Sequence, residues 1–486
     1  MNTLSHVELR PGAYADSVTL LQVSRAVQGL NGVLAAQVAM ATGLNVEVLT
    51  EMGFEVPPDA TTNDLVVALR LADASALEAA LAGVERALKD ANRRESGPSE
   101  LAAPRTTASA LRRAPEGLAL ISVPGASALV EAMDALDAGH DVMIFSDNVP
   151  LDQELTLKRT ATERGLLVMG PDCGTAVVGG LGLGFANTVE PGPVGIVAAS
   201  GTGCQQLLAL LDHAGVGVTS ALGVGGRDLS AEVRGLSTRE ALRRLDADPA
   251  VELIVVVSKP PAKEVATELR AYSDGLDTPV ELALLGAGRP DLTAATERVL
   301  TRLGREVPTW PVTGKATAAT SGQFLRGLFV GGTLCDEAML IASSVLGPVR
   351  SNIPLSPELA LGADLTAADH TMVDFGDDAL TAGRAHPMID ATLRLDHLAR
   401  AAADETTAVI LLDVVLGHGS EPDPAALLGP AIAAVRQPVV VALVGTDADP
   451  QGLEGQVRAL VAAGAEVHLS NAGATRRAIE LMKGQS

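Results

Sequence analysis

Residues 194–204 read VGIVAASGTGC, and this stretch decides how the chain is to be understood. Val194 to Ala198 is a short apolar run containing Val194, Ile196 and Val197, which suits a strand buried on both faces. Ser200, Gly201, Thr202 and Gly203 break the run. From Gln205 to His213 apolar residues return at helical spacing, at Leu207, Leu208, Leu210 and Leu211. A strand, a Ser-Gly-Thr-Gly turn and a helix start leave backbone N–H groups and two hydroxyls at a positive helix end, where an anion is favoured.

The same alternation extends in both directions. Residues 1–90 read strand HVELRPG, helix DSVTLLQVSRAVQGL, strand VLAAQVAM, helix NVEVLTEMGF, strand DLVVALRLA and helix SALEAALAGVERALKD. This is a small N-terminal α+β domain, expected to be a ferredoxin-like sandwich. Residues 91–116 hold Pro, Ser, Ala and five arginines without a strand pattern and read as a linker. Alternating blocks follow over 117–190, 191–310 and 325–486, with the Pro/Gly/Thr-rich stretch 287–325 read as a connection. Strands alternating with helices of this length predict right-handed βαβ units and parallel sheets throughout.

Two of the blocks resemble each other. ALGVGGRDLS, VELIVVVSKPP and TPVELALLGAG parallel MVDFGDDALT, AVILLDVVLGHG and QPVVVALVGTD at similar spacing. Each copy ends its strands in glycines, so each offers loop–helix junctions at the carboxyl edge of a sheet, where open α/β folds bind ligands. Two such half-sites facing each other would enclose one anion.

The chain of 486 residues exceeds one hydrophobic core. Its composition is 47% hydrophobic and 20% charged, with few aromatics, which favours α/β layers over an aromatic-filled sandwich. A net charge of −23 argues against nucleic acid or an anionic membrane as partner, and means that any phosphate site must rely on local donors. Three scattered cysteines, Cys173, Cys204 and Cys335, make no disulfide framework and fit a reducing cytoplasm. Glu8, Arg10 and Asp16 stand where a signal peptide needs an apolar core. A cytoplasmic protein is expected, with no membrane span.

The ordered set MGPDCGT (169–175), PGPVGIVAASGTG (191–203) and GVGGRD (223–228) resembles the α subunit of succinyl-CoA synthetase. MVDFGDDA, VILLDVVLGHG and PVVVALVGTD resemble the carboxyl-terminal domain of that enzyme's β subunit. The resemblance implies Rossmann-like and flavodoxin-like parallel-sheet domains of the succinyl-CoA synthetase type: a truncated CoA-binding-like domain at 117–190, a flavodoxin-like one at 191–310 and a β-subunit-type one at 325–486. It also has gaps. The Gly-rich first turn that holds CoA has no counterpart, and the loop after PVELALLGAG carries no histidine where the family has a phosphohistidine. With the front domain and RPGAYADSVTLLQVSRA (10–26), the whole chain resembles FdrA-like proteins. That resemblance implies a subunit of an oxamate carbamoyltransferase, converting oxalurate and phosphate to oxamate and carbamoyl phosphate in allantoin catabolism. The alternatives are an acyl-CoA synthetase acting with a partner subunit and a non-catalytic scaffold that senses phosphate or an acyl phosphate.

Candidate residues follow from these turns. Ser200, Gly201, Thr202 and Gly203 are expected to hold phosphate, with Gly225, Gly226, Gly376, Gly417 and Gly419 as further backbone contacts. Arg227, Lys259, His418 and Arg384 are the expected catalytic cations and histidine, supplying charge to phosphate and carbonyl oxygens. His386 and the 374–378 loop are placed at the same cleft. Cys173 reads as structural, and Asp172 and Asn187 as turn caps. No CxxC, HExxH or paired-ligand spacing indicates a bound metal. No cofactor is required, Mg²⁺ remaining open. The expected partners are carbamoyl phosphate or phosphate, a small ureido or oxamate-type acid, and other subunits in an oligomer.

Overall fold

The computed structural model describes residues 4–11, 13, 15, 17–95, 104–316, 322–381 and 385–483. It divides into two compact units, Met1–Pro104 and Arg105–Ser486.

The first unit contains β1 (Leu4–Pro11), α1 (Ser17–Gln28), β2 (Val33–Met40), α2 (Gly43–Glu51), β3 (Asp64–Leu71) and α3 (Leu77–Glu95). Its sheet order is β1-β3-β2, and β3 runs antiparallel to both neighbours. The expectation of parallel sheets throughout fails here: β3 inserts between the two strands that α1 connects. Leu65, Val67, Leu69 and Leu71 on one face of β3 pack with Leu20, Val23 and Val27 of α1 and Ala80 and Val84 of α3. Helix α3 runs on into the stretch read as a linker.

The second unit begins with α4 (Thr107–Leu111), β4 (Ala119–Ile121), α5 (Gly125–Asp137), β5 (Val142–Ile144), α6 (Leu151–Arg164) and β6 (Val168–Met169), whose three strands form a parallel sheet of order β4-β5-β6. Next come β7 (Thr175–Val178), β8 (Leu181–Gly184), β9 (Val194–Ala199), α7 (Gly201–His213), β10 (Val218–Gly223), α8 (Leu236–Asp246), β11 (Leu253–Ser258), α9 (Lys263–Ser273), β12 (Val280–Leu284) and α10 (Leu292–Arg302). The sheet order is β12-β11-β9-β10-β7-β8. The β7–β8 pair is an antiparallel hairpin and was not foreseen. Helix α10 corrects the reading of 287–325 as a mere connection: Asp291 caps it by accepting from Ala294 N–H at 2.8 Å, and its Leu292, Val299 and Leu300 are buried.

The last part holds β13 (Val312–Thr313), β14 (Phe324–Phe329), α11 (Gly332–Leu346), β15 (Val349–Arg350), β16 (His370–Asp374), α12 (Asp378–Thr381), α13 (Thr392–Ala403), β17 (Thr407–Val415), α14 (Pro424–Ala433), β18 (Val439–Val444), α15 (Leu453–Ala462), β19 (Glu466–His468) and α16 (Asn471–Lys483). Its order is β13-β19-β18-β17-β14-β16-β15. The sequence repeat is therefore a topological one. The run β12-β11-β9-β10 in one sheet matches β18-β17-β14-β16 in the other, and β9–α7 corresponds to β14–α11.

Both central helices are buried in one continuous core. Residues Gly203–Leu211 of α7 are buried on every side, as are Leu334, Cys335, Ala338 and Met339 of α11. A helix apolar all round belongs between layers. Polar residues fix the register: Gln206 Nε2 donates to Leu469 O at 3.1 Å, and its Oε1 accepts from Asn471 N–H at 2.9 Å. Among the described residues no helix is long and apolar enough to cross a membrane.

Candidate functional site

The N-termini of α7 and α11 meet. Ser200, the N-cap of α7, accepts from Gly203 N–H at 2.9 Å and donates its own hydroxyl to Thr333 Oγ1 at 2.6 Å. Two of the expected phosphate donors, Ser200 O–H and Gly203 N–H, are thus spent inside the protein. At α11 the N–H groups of Val330 and Gly331 are likewise taken, by Asp413 at 2.8 and 2.9 Å. Asp413 is in turn paired with Arg394 at 3.2 Å. The amides of Gly201, Thr202, Gly332 and Thr333 and the Thr202 hydroxyl have no partner among the described residues. These are the donors left at the facing helix ends, each end carrying about half a positive charge.

Lys259 follows β11 and lies over α11. A Cβ on Gly332 would fall 2.6 Å from Asp374 Oδ2 and 2.9 Å from Lys259 Nζ, so glycine lets both side-chain ends approach α11 closely. The ammonium makes no ion pair within 4.0 Å among the described residues. Burial pulls it down, but Asp336, Asp374 and Asp172 outweigh that and hold it above the ordinary lysine range. The acids respond in kind. Burial pushes Asp374 up to about 7, against the opposing pull of Lys259 and of the Gly376 N–H, which Oδ1 accepts at 2.9 Å. Asp336 is pushed by burial to about 6. Asp172, exposed as a residue but with its carboxyl crowded by protein, rises to about 7 through desolvation and the charge of Asp378. The cleft thus sets a lysine and two helix ends among acids poised near neutrality, a pattern found at functional sites.

The loop after β10 forms another wall. Gly225 has φ +88°, and a Cβ there would run into the Pro171 carbonyl oxygen and lie 3.1 Å from the Gly170 backbone, so the loop needs glycine at this close approach. A Cβ on Gly226 would stand 3.6 Å from Asp172 Oδ2. Arg227 is tied back, donating to Glu154 Oε2 at 2.9 Å and to Val149 O at 2.7 Å, with its side chain 46% exposed. Behind it, fully buried Lys158 donates to Asp228 at 2.7 Å and Val224 O at 2.9 Å and is ion-paired with Glu154 at 2.8 Å. Sequence reading missed this network, because Glu154 and Lys158 look like an ordinary i, i+4 pair on a solvated helix face.

The hairpin closes the ring. Thr175 Oγ1 donates to Phe185 O at 2.9 Å and would lie 3.6 Å from a Cβ on Gly201. Phe185 stacks on His386 with ring centroids 5.4 Å apart, and His386 Nε2 would lie 2.9 Å from a Cβ on Gly376. The two-glycine turn Gly179-Gly180, both at positive φ, was the signal that would have revealed this hairpin.

The loop at 417–419 sits differently from its expected role of closing over the turn. His418 is exposed, its N–H donates to Ala186 O at 2.8 Å and its Nε2 is 3.2 Å from Thr188 Oγ1. Gly417 N–H is taken by Gln451 Oε1 at 3.1 Å. A Cβ on Gly419 would lie 3.2 Å from Phe185, so this loop reaches the ring through that phenyl. Arg384 lies outside the described residues. Burial pushes the Cys173 thiol up, away from nucleophilic use. Asn187 bonds Asp449 at 2.8 Å and Leu416 O at 3.1 Å, joining the hairpin to the second sheet instead of capping a turn.

Comparison with known proteins gives the family. Escherichia coli YahF is 40% identical over 490 residues, covering 94% of this chain and 95% of YahF. The chain belongs to the YahF family. A family model described as AllF, heavy metal-associated domain matches residues 1–104, and a CoA-ligase model matches residues 328–481. The ADP-forming succinate–CoA ligase subunit alpha 2 of Archaeoglobus fulgidus is 31% identical over 154 residues, 31% of this chain and 52% of that subunit. The chain spans about half the length of that relative. A dinucleotide-forming acetyl-coenzyme A synthetase of Ca. Korarchaeum cryptofilum, solved with phosphate and ADP, is similar over 76% of this chain and 84% of its own at 16% identity and a TM-score of 0.29. The CoA-ligase model and the succinate–CoA ligase relative support a succinyl-CoA synthetase-like architecture for the second unit. None of these relatives is named a carbamoyltransferase.

The first match raises a heavy metal, and the residues do not fit one. Residues 1–104 contain no cysteine, the soft ligand such ions take, and among the described residues no three His, Cys, Asp or Glu are gathered as a site.

Proposed function

We propose that the chain is one subunit of an acyl-CoA-ligase-like enzyme whose cleft forms or breaks an acyl phosphate. One observation carries the reading: the Ser200–Thr333 hydrogen bond sets two helix N-termini face to face, with the amides of Gly201, Thr202, Gly332 and Thr333 unspent and Lys259 beside them. A mixed carboxylic–phosphoric anhydride needs charge on its phosphate and carbonyl oxygens to be stabilised more than it needs a nucleophilic side chain. The CoA-ligase family match at 328–481 and the succinate–CoA ligase relative support the same class of intermediate.

A second reading is carbamoyl transfer, in which the acyl phosphate is carbamoyl phosphate and phosphate attacks a ureido carbonyl directly. It is favoured by the loop LGAGRPD (285–291), which has no histidine to relay a phosphoryl group, and by the three-stranded β4-β5-β6 sheet, which lacks a Gly-rich first turn for CoA.

The test is calorimetric titration of the purified chain with inorganic phosphate, acetyl phosphate and CoA, followed by turnover with its partner subunits. Phosphate and acetyl phosphate are expected to bind wild type. The Gly201→Leu, Thr202→Val double variant should bind them about 5- to 100-fold less tightly, the loss of one or two hydrogen bonds. Space near Gly201 is open, Thr175 Oγ1 being 3.6 Å away, so the fold should tolerate the change. Unaltered binding in the folded double variant would refute the site. Micromolar CoA binding would favour the ligase reading over carbamoyl transfer.

A further inference from the structure

His386 sits where the ring of elements around the cleft closes. On one side its imidazole stacks on Phe185, which Thr175 anchors beside the N-terminus of α7. On the other its Nε2 comes within 2.9 Å of the Cβ position of Gly376, and the same Cβ position lies 3.2 Å from Asp374 Oδ1. The ring is held in place by its own turn: the His386 carbonyl accepts from Ile389 and Asp390 N–H at 2.7 and 3.0 Å, and Nδ1 accepts from Met388 N–H at 3.2 Å. Nε2 has no partner among the described residues. Burial lowers the imidazole to about 4. A neutral imidazole whose Nδ1 accepts a hydrogen bond must carry its proton on Nε2. The free atom at the cleft is therefore an N–H donor with no lone pair in the ring plane to offer.

We propose that His386 is the donor to the acyl carbonyl oxygen in this cleft: with Nδ1 occupied by Met388 N–H, it presents Nε2–H to that oxygen and carries no phosphoryl group itself. This rests on the acyl phosphate reading and assigns the carbonyl end of the substrate, as the facing helix ends are assigned the phosphate. When a phosphate oxygen attacks the acyl carbon, the C–O(P) bond forms and negative charge gathers on the carbonyl oxygen, where Nε2–H stabilises it. The bond to the leaving group then breaks with its electron pair, and the proton of monohydrogen phosphate passes to that leaving atom. His386 neither gains nor loses a proton. Glycine at 376 is what leaves room for the imidazole edge beside Asp374.

The test uses the full chain labelled with ¹⁵N-histidine, the His386 signals being assigned by their loss in His386→Gln. Long-range ¹H–¹⁵N correlation at pH 7 should show protonated Nε2 and unprotonated Nδ1. Acetyl phosphate should shift the Nε2 signal, whereas inorganic phosphate should bind and leave it in place. In the assembled enzyme, His386→Gln, which keeps an N–H donor, should stay within about tenfold of wild-type kcat, and His386→Ala should lose about 10²-fold or more at unchanged KM for phosphate. An Nδ1–H tautomer, acid-labile phosphate on His386, or a ring indifferent to bound acetyl phosphate would each overturn the proposal while leaving the phosphate site standing. Failure of phosphate and acetyl phosphate alike to bind wild type would instead overturn the reading beneath it. The tautomer is read on wild type, so it stands even if the alanine variant does not fold.

Discussion

Replacing Lys158 by Met should destabilise the second unit and loosen one wall of the cleft. The Lys158 side chain is wholly buried, as are the carboxylates of Asp228 and Glu154 that it holds at 2.7 and 2.8 Å. Methionine fills nearly the same volume, so the effect is electrostatic and not that of a cavity. Asp228 would keep its donors from Thr238 Oγ1 at 2.6 Å, Thr238 N–H at 2.9 Å and Ser237 N–H at 3.2 Å, but Glu154 would retain only Arg227 and the Val224 carbonyl would lose its donor. Breaking a buried pair from one side costs about 3–5 kcal/mol, a large part of the ~5–15 kcal/mol that holds a typical fold together. Trp310 is the chain's one tryptophan and lies in the second unit, half-buried with Nε1 bonded to Glu297 at 2.9 Å. Its fluorescence during urea unfolding therefore reports that unit alone. The midpoint should fall with little change in slope. Adding Glu154→Gln should recover part of the loss, because one buried charge is then removed along with its partner. A loss below about 1 kcal/mol, or no recovery in the double variant, would refute the view that these charges sustain one another.

Gly332→Ala should weaken phosphate binding in a folded protein, since the new methyl, 2.6 and 2.9 Å from Asp374 Oδ2 and Lys259 Nζ, must push those side-chain ends away from α11; calorimetry on a variant with unchanged circular dichroism checks this. Asp374→Asn should change the pH dependence of stability. The folded carboxyl is raised to about 7 from 3.8, so the unfolded chain binds fewer protons in that window and wild-type stability falls as pH rises from about 4 to 7. The asparagine variant escapes this, gaining on wild type by up to about 4 kcal/mol across the window, three units at ~1.4 kcal/mol each. Urea midpoints at pH 4.5 and 8 that differ equally in both proteins would contradict the assignment.

The sequence by itself determined the layers. Val/Ile/Leu runs of strand length and the Ala/Leu helices between them suffice for βαβ units, because each element must bury an apolar face and the connection between parallel strands has one hand. The strand–turn–helix at 194–204 was legible for the same reason, its cap and its periodicity being local. So was the repeat, which emerges as the matched orders β12-β11-β9-β10 and β18-β17-β14-β16. Only tertiary structure decided which donors remain free. Ser200 and Gly203 look like phosphate ligands in the sequence, yet one satisfies the other and the hydroxyl goes to Thr333, 133 residues away. Asp413 and Asp374 sit on strands far from Lys259 in sequence until folding brings them to α11, which itself carries Asp336. The hydrogen-bonding fate of a turn depends on what packs against it. No local pattern encodes the meeting of two helix ends or the buried Lys158 network, because each is made by chain segments distant in sequence that a shared core brings together.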